Sequence, residues 1–426
     1  MHYEIVVVGG GAGGLELAAR LGRRLGRRRG PEAVLLIDRL VFHIWKPTLH
    51  EVAAGTLDTH QEGLSYPLLA RRNHFSFTLG DVTGLDLNAR RLTLAETRDR
   101  DGETVIPERA VSFDRLVLAV GCGSNEFGTP GVEHASVLEG AEDAERFHMR
   151  LLAAFTRASF AAAEPLRVAI VGGGATGVEL AAELIEAKTE FEQGLAADQR
   201  FRLEIAVVEA ADRILGALPE RISARAQQAL ERKGVRVLTG AKVAAVAKNG
   251  LATSVGEVPA DLIVWAAGVK AAEANRDFGL EVNRLNQFVV DTRLQTSAPG
   301  VYALGDCAAC PWEEGRLTPA RAQAAHQQAD YLARALIAAM RERPTEATFR
   351  YRDFGSLVSL GAGRGVGSLM GGLGGPNFFV EGLVAKAMYM SLHLDHHRAI
   401  LGTARTAVLA VARLLQERVS GRLKLH

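Results

Sequence analysis

Two segments of the chain repeat the same order of apolar and polar positions. Each has a short apolar run, a glycine-rich turn, a helical stretch, and a second apolar run that ends in an acidic residue. The first copy runs from Tyr3 to Asp38 and the second from Arg167 to Glu209. Short runs rich in β-branched residues and bounded by glycine are typical of buried strands. The pattern predicts two βαβ units, with an insertion at Thr189–Arg202 that extends the second helix.

Both predicted turns have the spacing G-x-G-x-x-G. In this motif the first glycine permits a tight turn, the second lets the backbone approach a pyrophosphate, and the third lets helix and strand pack. The helix N-terminus then faces the anion. An acidic residue after the second strand binds ribose hydroxyls, although here it lies further along the chain than usual. These features predict two dinucleotide-binding folds, with glycines Gly9, Gly11, Gly14, Gly172, Gly174 and Gly177 and acids Asp38 and Glu209.

Composition limits the partners. The 426 residues suit two or three domains, and 50 basic against 49 acidic side chains give no charge excess for nucleic acid. The cysteines are Cys122, Cys307 and Cys310, a sparse set that fits a reducing compartment. Neither a redox role nor a metal site is favoured for the Cys307–Cys310 pair. No apolar run approaches the roughly 20 residues that span a bilayer, so we expect membrane contact to be peripheral.

A third motif resembles the two-dinucleotide flavoproteins. Thr296 to Asp306 reads as a turn, a short strand and a Gly–Asp pair. In that family the first βαβ unit binds FAD, the Gly–Asp pair completes the same domain, and the second unit binds the nicotinamide cofactor. The resemblance implies that Asp306 accepts hydrogen bonds from the ribityl chain and that Asp38 binds the FAD ribose. Glu209 would bind the NADH ribose and repel the extra phosphate of NADPH, and the nearby Arg213 would act against that preference.

Three further segments resemble type II NADH:quinone oxidoreductases. They are the loop Asp38–Gly55, the helix start Gly177–Leu184, and Thr318–Gln328, which contains an Ala-Gln-x-Ala-x-Gln quinone-site motif. The resemblance covers nearly the whole chain. It implies an α/β fold with two Rossmann-like dinucleotide-binding domains and C-terminal amphipathic membrane-associating helices. The expected domains are 1–120 with 292–350 for FAD, 121–291 for NADH, and 351–426 for membrane association.

The resemblance also implies site residues. Gln323 and Gln327, four apart on one helix face, would hydrogen-bond a quinone; the alternative is that both are surface glutamines. Glu179 would relay charge or protons, or else complement a helix dipole. Lys386 would face a functional cavity, or else extend to water. The implied cofactor-binding residues are Gly9, Gly11, Ala12, Gly13, Gly14, Asp38, Arg39, Lys46, Val82, Gly121, Gly172, Gly174, Gly177, Glu209, Gly268, Asp306, Ala322 and Gln323.

The implied activity is oxidation of NADH through non-covalent FAD and reduction of a membrane quinone, without proton pumping. The expected location is the cytoplasmic side of the inner membrane, with a homodimer left open. A sulfide:quinone oxidoreductase, a soluble ferredoxin- or rubredoxin-reductase-like enzyme, and a non-enzymatic NADH sensor similar to apoptosis-inducing factor are the competing interpretations.

Two basic regions bear on the membrane. The C-terminal stretch from Gly382 combines arginines with apolar residues near helical spacing, as in a helix that lies in the lipid interface; packing on the domain or on a second subunit is the alternative. A cluster on the first predicted helix is either a solvated face or attracted to acidic lipid. Its members are Arg20, Arg23, Arg24, Arg27, Arg28 and Arg29.

Overall fold

The computed structural model describes residues 1–99, 101–161, 164–343, 346–361, 365–369, 378–381, 383–419 and 423. Helices and parallel sheets alternate along this chain, as the repeated pattern predicts. The α-helices of the described part are α1 Ala12–Ala33, α2 Leu49–Ala54, α3 Thr59–Glu62, α4 Tyr66–Asn73, α5 Ala141–Phe160, α6 Ala175–Glu192, α7 Glu220–Arg232, α8 Ala322–Met340, α9 Leu383–Leu401 and α10 Thr403–Val419.

The first sheet combines strands from the N-terminal part of the chain with one strand that follows the second sheet in sequence. Its strands are, in spatial order, Ser76–Leu79, Val34–Asp38, His2–Val8, Arg109–Leu118, Arg91–Leu94 and Val82–Asp86, and Val301–Ala303 also pairs with Arg109–Leu118. That parallel pairing brings the Gly–Asp turn that follows residue 303 to the carboxyl end of the first strands. The buried core of this sheet includes Phe278 and Phe288, which precede the boundary expected at residue 291.

The second sheet is parallel and lies within the middle of the chain. Its strands are, in spatial order, Ser136–Val137, Leu262–Trp265, Leu166–Val171, Leu203–Val208 and Arg236–Leu238. A three-stranded antiparallel sheet follows, with strands Val243–Ala247, Gly250–Thr253 and Gly256–Pro259. The predicted insertion is present: α6 continues to Glu192, and a loop with a short 3₁₀ turn leads to the next strand. The two Rossmann-like units of the predicted α/β fold are thereby confirmed.

The remaining described strands form three minor pairs and a C-terminal sheet. The pairs are Phe42–His43 with Leu64–Ser65, Thr97–Arg98 with Thr104–Ile106, and Phe288–Val289 with Ala308–Ala309. The C-terminal sheet is antiparallel and consists of Gly355–Ser359, Gly365–Leu369 and Phe378–Glu381.

The two C-terminal helices differ in their surroundings. Helix α9 packs on α1, and its Ile400 is buried in the core of the first sheet. Helix α10 instead exposes an apolar stripe of Val408, Val411 and Leu415. The alternative of domain packing therefore holds for α9, whereas α10 retains the face expected of an interfacial helix. Within the described residues, no helix combines the length and apolarity needed to cross a bilayer.

Candidate active site

The first glycine turn has the close approaches that its motif predicts. Gly9 adopts φ +98°, and its N–H donates to Ile37 O at 2.8 Å. A Cβ on Gly14 would lie 1.9 Å from Gly9 O, so only glycine lets the helix pack on the strand there. A Cβ on Gly11 would meet nothing within 4 Å. Gly11 therefore borders open space at the N-terminus of α1, where a diphosphate would bind.

Asp38 is held against this turn by the backbone. Its Oδ2 accepts from Gly10 N–H at 2.6 Å and its Oδ1 accepts from Leu40 N–H at 2.8 Å. Burial raises the pKa of the Asp38 carboxyl, while these hydrogen bonds act in the opposite direction. Ala12 is half-buried at the start of α1, and Gly13 packs against Leu304 of the distant Gly–Asp segment.

The second glycine turn reproduces the first almost bond for bond. Gly172 adopts φ +107°, and its N–H donates to Val208 O at 2.8 Å. A Cβ on Gly177 would lie 2.0 Å from Gly172 O, whereas one on Gly174 would meet nothing within 4 Å. Glu209 accepts from Gly173 N–H at 2.7 Å and from Ala211 N–H at 2.8 Å. The carboxylate of Glu209 thus occupies the position that Asp38 occupies in the first unit.

The side chain of Arg213 hydrogen-bonds to the backbone of its own loop. Its guanidinium donates to Leu218 O at 2.8 Å and to Gly216 O at 2.9 Å. These backbone partners hold its charge within its own loop.

Asp306 lies at the centre of the Gly–Asp turn. Gly305 adopts φ +73°, and its N–H donates to Oε1 of the buried Gln328 at 2.7 Å, which fixes the turn on α8. In the described part of the chain, no protein donor reaches the Asp306 carboxylate within hydrogen-bond distance. Burial raises the pKa of Asp306, and the charge of Lys46 lowers it. Lys46 itself donates from Nζ to Cys122 O at 2.5 Å.

The remaining expected cofactor residues of the two units are Arg39, Val82, Gly121 and Gly268. Arg39 is exposed directly after Asp38, and Val82 is half-buried at the start of its strand. Gly121 follows the strand Arg109–Leu118 of the first sheet and Gly268 follows the strand Leu262–Trp265 of the second, and they adopt φ +71° and +67°. In the described part of the chain, no side-chain hydrogen bond involves Arg39.

Gln323 and Gln327 project from one face of α8, as their spacing predicts, but both amides contact the chain itself. Gln323 Nε2 donates to Gly355 O at 2.9 Å, and Gln327 Nε2 donates to Arg352 O at 2.9 Å. Gln327 Oε1 also accepts from Arg352 N–H at 3.0 Å. The two glutamines therefore fasten the segment 352–355 to α8. Ala322, the first residue of α8, is half-buried beside them.

Glu179 is buried at the other end of the strand Gly355–Ser359. Its Oε1 accepts from Ser359 N–H at 3.0 Å, and its Oε2 lies 3.5 Å from Nδ1 of the buried His50. Burial raises the pKa of Glu179 to about 8 and lowers that of His50 to about 4. At neutral pH the pair is therefore largely uncharged. The contacts of Gln323 and Glu179, at Gly355 and Ser359, are four positions apart along the strand, which is about 13 Å.

The structure contains a buried histidine cluster that was not predicted from the sequence. His396 of α9 lies between Glu16 of α1 and His43, and His43 also contacts Gly10 O of the first glycine turn. His326, one turn from Gln323, binds Glu16 through Nδ1 at 2.7 Å. The three histidines at 393, 396 and 397 were the available signal, because that spacing puts them on one helix face. The side chain of Lys386, which was expected to face a functional cavity or to extend to water, lies outside the described residues.

The three cysteines are free and buried. Burial raises the pKa of Cys122 to about 12 and that of Cys307 to about 11, and it also raises that of Cys310. Thiolate is the reactive form of cysteine, so at neutral pH these side chains are protonated thiols of low nucleophilicity. Among the described residues, no group of His, Cys, Asp and Glu is arranged to hold a metal ion.

Comparison with known proteins decides the family. The family of pyridine nucleotide-disulphide oxidoreductases matches residues 3–329. The chain is 38% identical over 444 residues to a protein of Haemophilus influenzae named type II NADH:quinone oxidoreductase, covering 99% of this chain and 100% of that protein. The chain belongs to the type II NADH:quinone oxidoreductase family. A Mycobacterium tuberculosis relative of the same name is 29% identical, with 93% of this chain and 84% of that protein covered.

A further relative and a solved structure are also similar to this chain. A demethylphylloquinone reductase of Synechocystis is 30% identical over 87% of each chain. The structure of NDH2 from Plasmodium falciparum in complex with NADH superimposes with a TM-score of 0.80 over 99% of both chains, at 18% sequence identity. At that identity the likeness concerns the fold, which is the predicted one.

Proposed function

We propose that this type II NADH:quinone oxidoreductase oxidises NADH through one non-covalent FAD and reduces a quinone, without proton pumping. The observation that carries the proposal is the matched pair of acid–glycine turns, Asp38 with Gly10 and Glu209 with Gly173. Two such turns provide two dinucleotide sites. The membership of the chain in this family agrees with the same assignment.

The first site fits FAD. Gly11 leaves open space at the helix N-terminus for a diphosphate, Asp38 is placed for ribose hydroxyls, and the Asp306 carboxylate lacks a protein donor in the described part of the chain. Bound FAD supplies hydride acceptance and electron transfer. The chain's own residues hold its two ends: Asp38 at one turn and Asp306 at the other, with Gln328 fixing the second turn.

The second site fits NADH. Gly174 offers the same open space at the N-terminus of α6, and Glu209 is fixed by two backbone donors. We propose that Glu209 accepts hydrogen bonds from the NADH ribose and that its charge disfavours the additional phosphate of NADPH.

Quinone binding is assigned to the start of α8. A neutral amide can donate to a quinone carbonyl without placing a charge in an apolar site, and Gln323 and Gln327 already donate to backbone carbonyls of segment 352–355. To bind quinone, a glutamine exchanges such a carbonyl for the quinone oxygen. Glu179 is largely protonated at neutral pH and can release a proton toward the reduced product.

Separate half-reactions test this division of labour. Replacing Gln323 or Gln327 with Ala should leave NADH-driven flavin reduction at its normal rate and slow reoxidation by quinone several-fold, because one hydrogen bond contributes roughly 0.5–1.5 kcal/mol. Stopped-flow absorbance of the flavin measures both steps, and the half-buried Gln227 of α7 supplies a matched Gln→Ala control. Slower flavin reduction with normal reoxidation would contradict the assignment.

The competing enzyme activity requires reactive thiols. Sulfide oxidation by a flavoenzyme of this kind would use cysteines near the flavin, but all three are buried thiols with raised pKa. We expect sulfide to leave the flavin oxidised under anaerobic conditions. Rapid NADH turnover with a quinone would separate this enzyme from a non-enzymatic NADH sensor.

We propose peripheral attachment at the cytoplasmic face of the inner membrane through α10. Its exposed Val408, Val411 and Leu415 form the apolar face that would enter the lipid interface. Deleting residues 402–426 should release the enzyme from membranes and leave reduction of a short-chain soluble quinone intact. A homodimer is proposed as the assembly, and light scattering of the purified enzyme tests it.

A further inference from the structure

Four arginines line one open groove between α1 and α8. The groove has a volume of about 450 Å³ and is lined by Arg24, Arg334, Arg341 and Arg343 together with Ile337 and Ala338. Arg24 comes from the middle of α1, whereas Arg341 and Arg343 follow the end of α8. All four arginines are exposed. None of the residues that line the groove belongs to either glycine turn, and its α8 residues begin about two turns beyond Gln327.

The positive charge of this groove is only partly neutralised. Asp330 lies at its edge and pairs with Arg20 at 3.0 Å and with Arg334 at 2.9 Å. In the described part of the chain, Arg24, Arg341 and Arg343 have no carboxylate within ion-pair distance. Burial and the nearby charges of arginines lower the pKa of Arg24, which Asp330 opposes. An anion in the groove would relieve this repulsion.

The chemistry of the lining favours a phosphate that is attached to aliphatic carbon. Guanidinium groups match the geometry of phosphate oxygens and bind them in bidentate fashion. Ile337 is buried below the arginines and Ala338 is half-buried, so part of the groove is apolar. A fully hydrated inorganic anion gains nothing from that part, whereas a glycerophospholipid headgroup does.

The position of the groove points to the same ligand. Arg23, next to Arg24, donates to Ala399 O at 2.7 Å and to Ile400 O at 3.4 Å at the end of α9. The exposed stripe of α10 begins eight residues further along the chain, beyond the break between α9 and α10 at Gly402. We propose that the groove binds the phosphate of an anionic phospholipid while α10 contacts the acyl region. This inference rests on the peripheral attachment proposed above.

Vesicle binding by the full-length, FAD-loaded enzyme tests the inference. Cosedimentation is measured with vesicles of phosphatidylcholine alone and with vesicles that also contain phosphatidylglycerol. The variant Arg24→Gln/Arg341→Gln should bind the anionic vesicles roughly 30-fold more weakly, since each basic residue near an anionic surface contributes about fivefold. The control Arg71→Gln/Arg72→Gln removes the same charge from exposed positions on α4 outside the groove, and it should change binding by less than about twofold.

Each contrary outcome is distinct. An equal loss in both variants would mean diffuse attraction to the surface, and no loss in the groove variant would place the lipid elsewhere; either result overturns the inference. If soluble glycerol phosphate competes for the enzyme as effectively as anionic vesicles do, the ligand is a free phosphate compound, and this result also overturns the inference.

Reduction of a short-chain quinone should be normal in both variants. If wild-type enzyme binds no vesicles but keeps this turnover, the lipid site fails and the catalytic proposal stands; loss of turnover in wild type contradicts the catalytic proposal.

Discussion

Oε1 of Glu16 lies 2.8 Å from Nδ1 of His396, and both side chains are almost completely buried. Nε2 of His396 lies 2.9 Å from Nε2 of His43, and Nδ1 of His43 lies 3.0 Å from Gly10 O. A carbonyl oxygen only accepts, so Nδ1 of neutral His43 carries a proton and its Nε2 must accept one from His396. Nε2 of His396 is therefore a donor, and its Nδ1 faces Oε1 of Glu16. One proton therefore lies between Oε1 of Glu16 and Nδ1 of His396. When the histidine holds it, the two side chains form an ion pair.

Replacing Glu16 with Gln should destabilise the protein and loosen α9. Burial raises the pKa of Glu16, but hydrogen bonds from His326 and His396 outweigh it and set the pKa at about 2. Losing one partner of a buried charge pair costs roughly 3–5 kcal/mol. Chemical unfolding measures the loss, and limited proteolysis reports the release of α9.

The control for that variant is Glu4→Gln. Glu4 pairs with Arg29 at 2.9 Å on the surface, where an ion pair contributes about 0–1 kcal/mol. Equal effects of the two substitutions would show that the buried contact does not hold α9.

The folded protein should lose stability as the pH falls below about 6.5. Burial lowers the pKa of His50 and His397 to about 4 and that of His393 to about 3. The unfolded chain therefore binds more protons than the folded one in this range, and each such group contributes up to about 1.4 kcal/mol per pH unit. Glu179, with a raised pKa of about 8, opposes the trend by one group. The measurement is the melting temperature between neutral pH and about pH 5. A melting temperature that stays constant or rises as the pH is lowered would contradict this expectation.

Two glycine substitutions should separate the two cofactors. Gly11→Ala and Gly174→Ala each add a Cβ that meets no protein atom within 4 Å, so both variants should fold. The added methyl enters the space of a dinucleotide phosphate. We expect Gly11→Ala to be purified without FAD, and Gly174→Ala to keep FAD but require more NADH for half-maximal rate. Flavin content and KM measure the two effects, and identical behaviour of the variants would contradict the assignment of sites.

Replacing Glu209 with Gln should narrow the preference for NADH over NADPH. A hydrogen bond to a charged acceptor contributes roughly 1.5–3 kcal/mol, so kcat/KM for NADH should fall about tenfold or more while that for NADPH falls less. Glu204 lies exposed near the start of the same strand, and Glu204→Gln is the matched control. Wild-type enzyme with equal kcat/KM for both cofactors would remove the basis for this role.

Sequence reasoning succeeded where the determining contacts are local. The strand, glycine turn and helix of each unit lie within one stretch of chain, and the face shared by Gln323 and Gln327 follows from helical spacing. It failed where partners are distant: His43 and His396 are 353 positions apart, and Glu16 and His396 are 380 apart. The backbone partners of the glutamines were equally out of reach, because no periodic pattern says which loop will pack on α8.

The strand Gly355–Ser359 is fixed at both ends by different domains. Gln323 of the first unit binds Gly355 O, and Glu179 of the second unit binds Ser359 N–H. Removing one residue shortens a strand by about 3.3 Å and turns its following side chains to the opposite face, so both bonds could not form together. Natural variants of this enzyme should therefore keep the number of residues between these two contacts constant, while insertions and deletions collect in the loops on either side.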